Sequence, residues 1–331
     1  MGNSVSTIAI LGTGNIGITH LQVLHQVENV RPIAVPKRRE RIEFLKEVGF
    51  ITAPDLQASM SIGATMCIIA SDTDEHLSDG LAALELELDL LVEKPLATDA
   101  SKAGQLWTRA KKGGRKVFVG CVMRFSESLK QFWDLLGIIG RLHSVCIECQ
   151  SYLPEWRPAR PYKQSYSARE NGGGVLRDLI HEIDYAGWLF GWPARLQASV
   201  RNLGRLGIEA DEAAELMWET PDGCVVSVRL DYLSRPHRRR MRASGELGTL
   251  EWDGIEGTVT LALAETPVRT IRSSQTRDEM FLAQARAFID ACCGVVDRRL
   301  ATGEEGVKAL AVCDAARRAS NSRREERVEY L

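Results

Sequence analysis

The chain has 331 residues, room for two hydrophobic cores, and its 44% hydrophobic and 26% charged residues are the proportions of a soluble globular protein. A formal net charge of -2 excludes the strongly basic balance of a nucleic-acid binder. No apolar run is long enough to cross a bilayer, so no membrane association is expected.

Met1-Gly2-Asn3-Ser4-Val5-Ser6 fits the short N-myristoylation pattern. That pattern is permissive, and it abuts a strand-like run at Thr7 with no signal-peptide core before it. The expectation is an unlipidated, cytoplasmic protein. Thr7-Ile8-Ala9-Ile10-Leu11 is a short apolar strand, Gly12-Thr13-Gly14-Asn15-Ile16-Gly17 follows at once, and Ile18 to Val27 has helical periodicity. Strand, G-x-G-x-x-G and helix in this order are the context of the dinucleotide fingerprint. Gly12 permits the tight turn, Gly14 lets backbone approach a pyrophosphate, and Gly17 allows helix and strand to pack closely. The helix N-terminus then offers unpaired N–H groups to the phosphates. His20 and His25, on this helix, read as packing or surface residues.

Ile33-Ala34-Val35 is the second strand. An NAD site of this kind sets an Asp or Glu at its end for the ribose 2′-hydroxyl. Here Pro36-Lys37-Arg38-Arg39 stands there, with no carboxylate before Glu40. Ammonium and guanidinium groups at Lys37 and Arg38 suit a 2′-phosphate, so NADP is favoured over NAD. Met66-Cys67-Ile68-Ile69-Ala70 is a further buried strand. The segment after it carries Ser71, Thr73 and His76 as candidate cofactor contacts, although a histidine at a helix start more often bonds locally. A helix from Leu77 to Leu86, a strand from Leu88 to Val92, a helix from Ala100 to Lys112 and the strand Lys116 to Gly120 complete the alternation. Repeated β-α-β units with short turns predict a doubly wound parallel sheet over residues 1–123.

One strand end organises the rest. Leu90-Leu91-Val92-Glu93-Lys94-Pro95 is an apolar run closed by a carboxylate, an amine and a proline. The proline takes the chain out of the sheet and holds Lys94 extended, and its X-Pro bond is free to be cis. A lysine at the carboxyl end of a parallel strand points into the crevice where such sheets bind ligands.

Beyond Arg124 the pattern changes. A helix from Glu127 to Leu136 leads to an alternating strand, Ser144 to Tyr152, which carries Cys146 and Cys149. Residues three apart on a strand face opposite ways, so this C-x-x-C is neither a redox nor a zinc site, and no metal is expected. The eight cysteines read as reduced thiols. A long irregular segment, Leu153 to Gly174, interleaves aromatics and arginines: Trp156, Arg157, Arg160, Tyr162 and Tyr166 among them. Long unpatterned loops are usually functional or disordered, and these residue types suit sugar faces and anions. Gly172-Gly173-Gly174 opens a helix expected to run from Val175 to Phe190. At about 100° per residue, Asp178, His181 and Asp184 share one arc and the apolar residues share the other. A carboxylate one turn from a histidine orients its ring, although a bland polar helix face shows the same stripe.

Taken together, Gly12-Thr13-Gly14-Asn15-Ile16-Gly17, Glu93-Lys94-Pro95 and the glycine-opened Asp178…His181…Asp184 helix resemble the Gfo/Idh/MocA oxidoreductase family, of the glucose–fructose oxidoreductase and inositol dehydrogenase type. Tyr152-Leu153-Pro154-Glu155-Trp156-Arg157, Ser165-Tyr166-Ser167-Ala168-Arg169 and Leu230-Asp231-Tyr232 resemble a subgroup linked to bacterial surface-sugar metabolism. The resemblance implies an α/β chain: an N-terminal Rossmann domain, then an α+β domain over 124–331 with a large, mostly antiparallel sheet. That second domain is expected to bind substrate and to form homodimers or homotetramers through its sheet. The strands fit, with Asp222-Gly223 as a hairpin turn between two of them. Helices from Asp278 to Cys292 and from Gly303 to Ser320 close the chain.

The resemblance also assigns residues. Lys94 contacts substrate and, with Glu93, helps place the nicotinamide. His181 stands at the reacting carbinol and Asp184 contacts substrate; Arg124, Trp156, Arg157 and Tyr166 are further substrate candidates. Inositol dehydrogenase-type members carry an aspartate four residues before the histidine, where this chain has Arg177. Asp178 stands three before, about 100° away on a helix, and Arg177 is available to an anionic substrate. The implied reaction passes a hydride between nicotinamide and a carbinol or carbonyl of a sugar or nucleotide-linked sugar, with His181 as base and Lys94 polarising the oxygen. Two other readings are a non-catalytic, nucleotide-sensing relative on the same fold and a reductase of a C=N bond.

Overall fold

The computed structural model describes residues 5–158, 161–170 and 172–330. The start of the acylation pattern, residues 1–4, and Arg160 of the aromatic segment lie outside them. The chain divides into two compact units, Met1–Val122 with Thr276–Val307, and Met123–Gln275 with Lys308–Leu331. The stretch expected to form one domain over 124–331 is thus split, because Thr276–Val307 folds with the N-terminal part.

The first unit alternates strands and helices: β1 (Ser6–Leu11), α1 (Asn15–His25), β2 (Val30–Val35), α2 (Arg41–Glu47), β3 (Ile51–Thr52), α3 (Leu56–Ser61), β4 (Met66–Ile69), α4 (His76–Glu85), β5 (Asp89–Val92), α5 (Ala100–Lys112) and β6 (Val117–Val119). Strand order is β6-β5-β4-β1-β2-β3, all parallel. β1 and β4 are buried along almost their whole length, as expected of strands covered on both faces. Asp99 starts α5 by accepting the Lys102 N–H at 2.9 Å.

The second unit holds α6 (Glu127–Leu135), β7 (Leu142–Gln150), α7 (Val175–Asp178), α8 (Ile180–Phe190), β8 (Arg195–Arg201), β9 (Ala213–Glu219), β10 (Val225–Asp231), β11 (Arg238–Gly245), β12 (Gly248–Asp253), β13 (Thr258–Leu263) and β14 (Arg269–Arg272). The order is β14-β13-β12-β11-β7-β10-β9-β8, antiparallel except for the parallel β7–β10 pair. Alternate residues of β7, β9 and β10 are buried, so the sheet has one core face. Cys149 lies on it and Cys146 is exposed on the other. That other face is laced across strands, Arg229 with Glu215 at 3.4 Å and Arg240 with Asp253 at 2.9 Å. On the core side Trp252 donates Nε1–H to Ser128 Oγ at 2.9 Å and meets Tyr185 edge-on, joining β12, α6 and α8.

The chain then returns to the first unit with α9 (Arg277–Cys292) and β15 (Ala301–Thr302), which pairs antiparallel with β6. α9 opens on a capping box of Thr276 and Glu279, and Lys116 Nζ caps its far end through the Ala291 and Cys292 carbonyls. α10 (Gly303–Ser322) and β16 (Glu326–Arg327) end the fold, with β16 on β8. No helix among the described residues is long and apolar enough to cross a membrane.

Glu212 and Asn202 together organise one loop of the second unit. Glu212 is fully buried and accepts the N–H groups of Leu203, Arg205 and Leu206 at 2.9, 3.1 and 2.6 Å. Glu212→Gln turns an NH₂ donor against one of these donors. It should cost about 1–3 kcal/mol of stability, read as a lower urea midpoint with an unchanged slope.

Candidate functional site

The first unit builds a cradle at the carboxyl end of β1. Gly12 has φ +93, and a Cβ there would lie 2.6 Å from the Ala70 and Ser71 backbone. A Cβ on Gly17 would run into the Gly12 carbonyl. Both glycines are demanded by backbone packing of β1, α1 and β4. Gly14 is different, since a Cβ there meets nothing within 4 Å and its bare face opens to free space. Behind it α1 begins with no side-chain cap and no acidic residue in its first turn. Open space before uncapped N–H groups at the positive end of a helix dipole fits a dinucleotide pyrophosphate. Thr13 is buried in this loop, and its Oγ1 accepts from Arg41 Nε at 3.2 Å.

At the end of β2, Lys37 is already engaged. Its ammonium lies 2.7 Å from Asp79 Oδ1 and 3.2 Å from Glu75 Oε1. Ser71 Oγ donates to the other Asp79 oxygen at 2.6 Å. Burial alone would lower the Lys37 pKa, but the hydrogen bonds and charges of Asp79 and Glu75 outweigh it and raise the pKa above its ordinary value. The lysine expected to be open to a 2′-phosphate is therefore paired; Arg38 stays exposed. Thr73 is buried.

Lys94, partly buried, is held from both sides. The Lys94–Pro95 bond is cis. Before it, Glu93 Oε1 lies 2.7 Å from Nε2 of the buried His20, and Oε2 accepts the Lys94 N–H at 3.3 Å. Gly120 leaves room for that carboxylate, which a Cβ would approach to 2.9 Å. After it, the Pro95 carbonyl lies 2.8 Å from Nδ1 of His76, whose Nε2 is 3.1 Å from the Ser71 carbonyl. Burial lowers the His76 pKa, opposed by those two carbonyls. A neutral ring has one N–H, which we assign to Nδ1, the shorter contact. His76 thus spans from its own helix start to the lysine strand, and His20 is a partner of the Glu93-Lys94-Pro95 run rather than plain packing.

In the second unit the expected single helix is broken at Leu179 (φ -97, ψ 32), which separates α7 from α8. Asp178 therefore stands on α7, while His181 and Asp184 stand together on α8. Asp178 accepts from Tyr232 Oη at 2.6 Å and also neighbours Tyr166. Burial first, then the Asp178 carboxylate, holds both phenols well above the ordinary range. Trp156 meets Tyr232 edge-on at 5.3 Å, and its Nε1–H is fixed on Ser151. The three segments that carried the subgroup resemblance thus converge on Asp178, with Arg157 exposed beside them. Asp184 and Arg124, both expected at the substrate, hold each other through two hydrogen bonds of 2.9 and 2.7 Å with both side chains buried. Arg124 also lies over the Trp188 ring. Arg177, expected at an anionic group, donates to the Glu170 and Gly173 carbonyls. His181 is buried at the start of α8. Next to it the fully buried Glu182 accepts from Arg239 at 2.8 Å and Tyr185 at 3.2 Å.

Asp79, Glu75, His20, Tyr232 and the Glu182–Arg239 pair stand out only in the fold, through partners distant in sequence. Asp79 had one signal, a carboxylate on the buried stripe of α4 with His76, Gly80 and Ala83. Tyr232 had another, its place in the Leu230-Asp231-Tyr232 motif.

Residues 6–121 match a model described as an oxidoreductase family with an NAD-binding Rossmann fold, and residues 136–251 match the GFO/IDH/MocA C-terminal domain. The chain is 27% identical to inositol 2-dehydrogenase 1 of Saccharopolyspora erythraea over 94% of its length and 93% of that protein's. It is 25% identical to 2,7-anhydro-N-acetylneuraminate hydratase of Mediterraneibacter gnavus over 55% of its length, and spans about half, 49%, of that relative. A levoglucosan dehydrogenase solved with NADH and L-sorbose has the same fold, with TM-score 0.88 and 17% identity over 99% of this chain and 100% of that one.

Removing one partner of a buried ion pair strands the other charge. Asp184→Ala should lower stability by about 3–5 kcal/mol, and Arg124→Met with Asp184→Leu should restore most of it in thermal unfolding. A stable Asp184→Ala protein would show that the pair does not hold the fold.

Proposed function

The chain belongs to the GFO/IDH/MocA oxidoreductase family, and we propose that it is a nicotinamide-dependent dehydrogenase or reductase acting on a carbinol or carbonyl of a sugar or nucleotide-linked sugar. The observation that carries this reading is the first unit's pairing of an uncapped α1 behind an open Gly14 with a lysine held on both sides. A bound nicotinamide dinucleotide supplies the hydride acceptor or donor. Gly12 to Gly17 would receive its phosphates, with Ser71 and Thr73 flanking that edge.

Lys94 directs its ammonium at the substrate oxygen and stabilises charge that gathers there. His181 takes the hydroxyl proton in oxidation and returns it in reduction, a task for a group that titrates near neutrality. Asp178, held by Tyr232 and beside Tyr166, fixes the junction of the irregular segment with α7. Trp156, partly exposed with its ring direction set by Ser151, offers a face for a sugar ring, and Arg157 offers a charge for an anionic substituent. The relatives named above support the sugar class: one acts on inositol, one on an anhydro-sugar acid, and one was solved with L-sorbose. The laced outer face of the sheet is proposed as the contact between copies in a dimer or tetramer, and the cytoplasm as the compartment.

A panel of oxidised and reduced dinucleotides against sugars and nucleotide-sugars, read at the nicotinamide absorbance, tests the reading. Lys94→Met and His181→Ala should each lower kcat by at least about 10²-fold while cofactor affinity stays within about threefold. Tight cofactor binding with no turnover of any panel member would favour the non-catalytic alternative.

A further inference from the structure

Lys37 and Asp79 stand 42 positions apart in the chain and form an ion pair at the place where dinucleotide-binding sheets discriminate their cofactors. β1 lies between β2 and β4, and the glycine loop leaves its end. Lys37 follows β2, and Ser71 follows β4. The Asp79 carboxylate meets both, 2.7 Å from the ammonium and 2.6 Å from the Ser71 hydroxyl. The bridge therefore spans the carboxyl edge of β1, beside the mouth of the loop. Glu75 adds a second carboxylate, 3.2 Å from the same ammonium.

The charges at this corner decide what it accepts. An ammonium has three donors, and two are already committed to carboxylates. A 2′-phosphate would have to take Lys37 from them and then lie against two negative groups left without their counter-ion. A ribose hydroxyl, uncharged and both donor and acceptor, meets no such repulsion. Two carboxylates against one ammonium give this cluster a net negative charge. In an NAD-type site that sign comes from a single carboxylate at the end of β2, where this chain has Pro36.

Building on the dinucleotide reading, we propose that Asp79, with Glu75, is a specificity-determining residue: it latches Lys37 and sets the protein's preference for NAD over NADP. The geometry gives the two carboxylates different weights. Asp79 is buried and fixed by Ser71, whereas the Glu75 side chain is 42% exposed, so Asp79 is the main latch and Glu75 the auxiliary. The basic run that follows does not undo this. Arg38 and Arg39 are exposed to solvent, and Arg41 is engaged with Thr13 and the Phe44 ring.

The test is fluorescence titration with NADH and with NADPH, which needs no substrate. The wild type should bind NADH more tightly than NADPH. Asp79→Asn, which keeps shape and removes charge, should move the NADPH-to-NADH affinity ratio toward NADPH by about tenfold, as expected when one charge-assisted hydrogen bond to the phosphate becomes available. Glu75→Gln, at an exposed position that folding tolerates, should move it the same way by less. Adding Lys37→Met to either variant should cancel the shift, because the released ammonium is what meets the phosphate. Wild-type preference for NADPH, a ratio unmoved in both single variants, or a shift that persists without Lys37 would each overturn the proposal. A wild type that binds neither dinucleotide would overturn the cofactor reading itself, an outcome distinct from all of these.

Discussion

A carboxylate taken out of water costs several kcal/mol unless donors meet it, and that constraint shapes both units of this protein. Each buried acid reaches across sequence for its donors and so fixes which segments lie together. Glu93 draws α1 to the end of β5 through His20. Asp79 ties the ends of β2 and β4. Asp211 accepts the Leu176 N–H at the start of α7 and is anchored by Arg317 at 2.6 Å. Glu182 joins α8 to β11 through Arg239, and Asp184 joins α8 to Arg124. Apolar burial makes the cores, but it is non-directional. The carboxylates supply the directions.

What could be read from the chain follows from this division. The glycine loop, the parallel strands of the first unit and the lysine at the end of β5 are local patterns, and local patterns survive in the fold. Gly12 and Gly17 are dictated by backbone within a few residues or on the adjoining strand, so their spacing was informative. The short elements α2, α3, β3 and β14 carry too little periodicity to stand out. The return of Thr276–Val307 to the first unit rests on contacts made by β15 and α9, which no pattern inside those residues announces.

The site residues divide the same way. Lys37 read as an open cation because its neighbours in sequence are basic, yet its partners stand on another element. The wheel for Asp178, His181 and Asp184 assumed one unbroken helix, and Leu179 breaks it. The glycines before that helix did more than open it. A Cβ on Gly173 would run into the Tyr166 carbonyl, and one on Gly174 would lie 2.5 Å from the Asp211 carboxylate. They are small because the irregular segment and a capping acid pack directly against them. The segment is thereby brought to Asp178, with Tyr166 beside that carboxylate and Trp156 against the Tyr232 ring.

This arrangement also fixes two of the three polar groups around the junction of α7 and α8. Asp178 accepts from a phenol whose pKa burial holds high, so near neutral pH Tyr232 keeps its proton and the hydrogen bond persists. Asp184 is matched by a guanidinium that does not deprotonate. Both carboxylates are thus held in place, one by a phenol and the other by a guanidinium. The group between them in the chain is the His181 imidazole. The two acids, each held by a partner from elsewhere in the chain, thereby keep the backbone that carries His181 in one place.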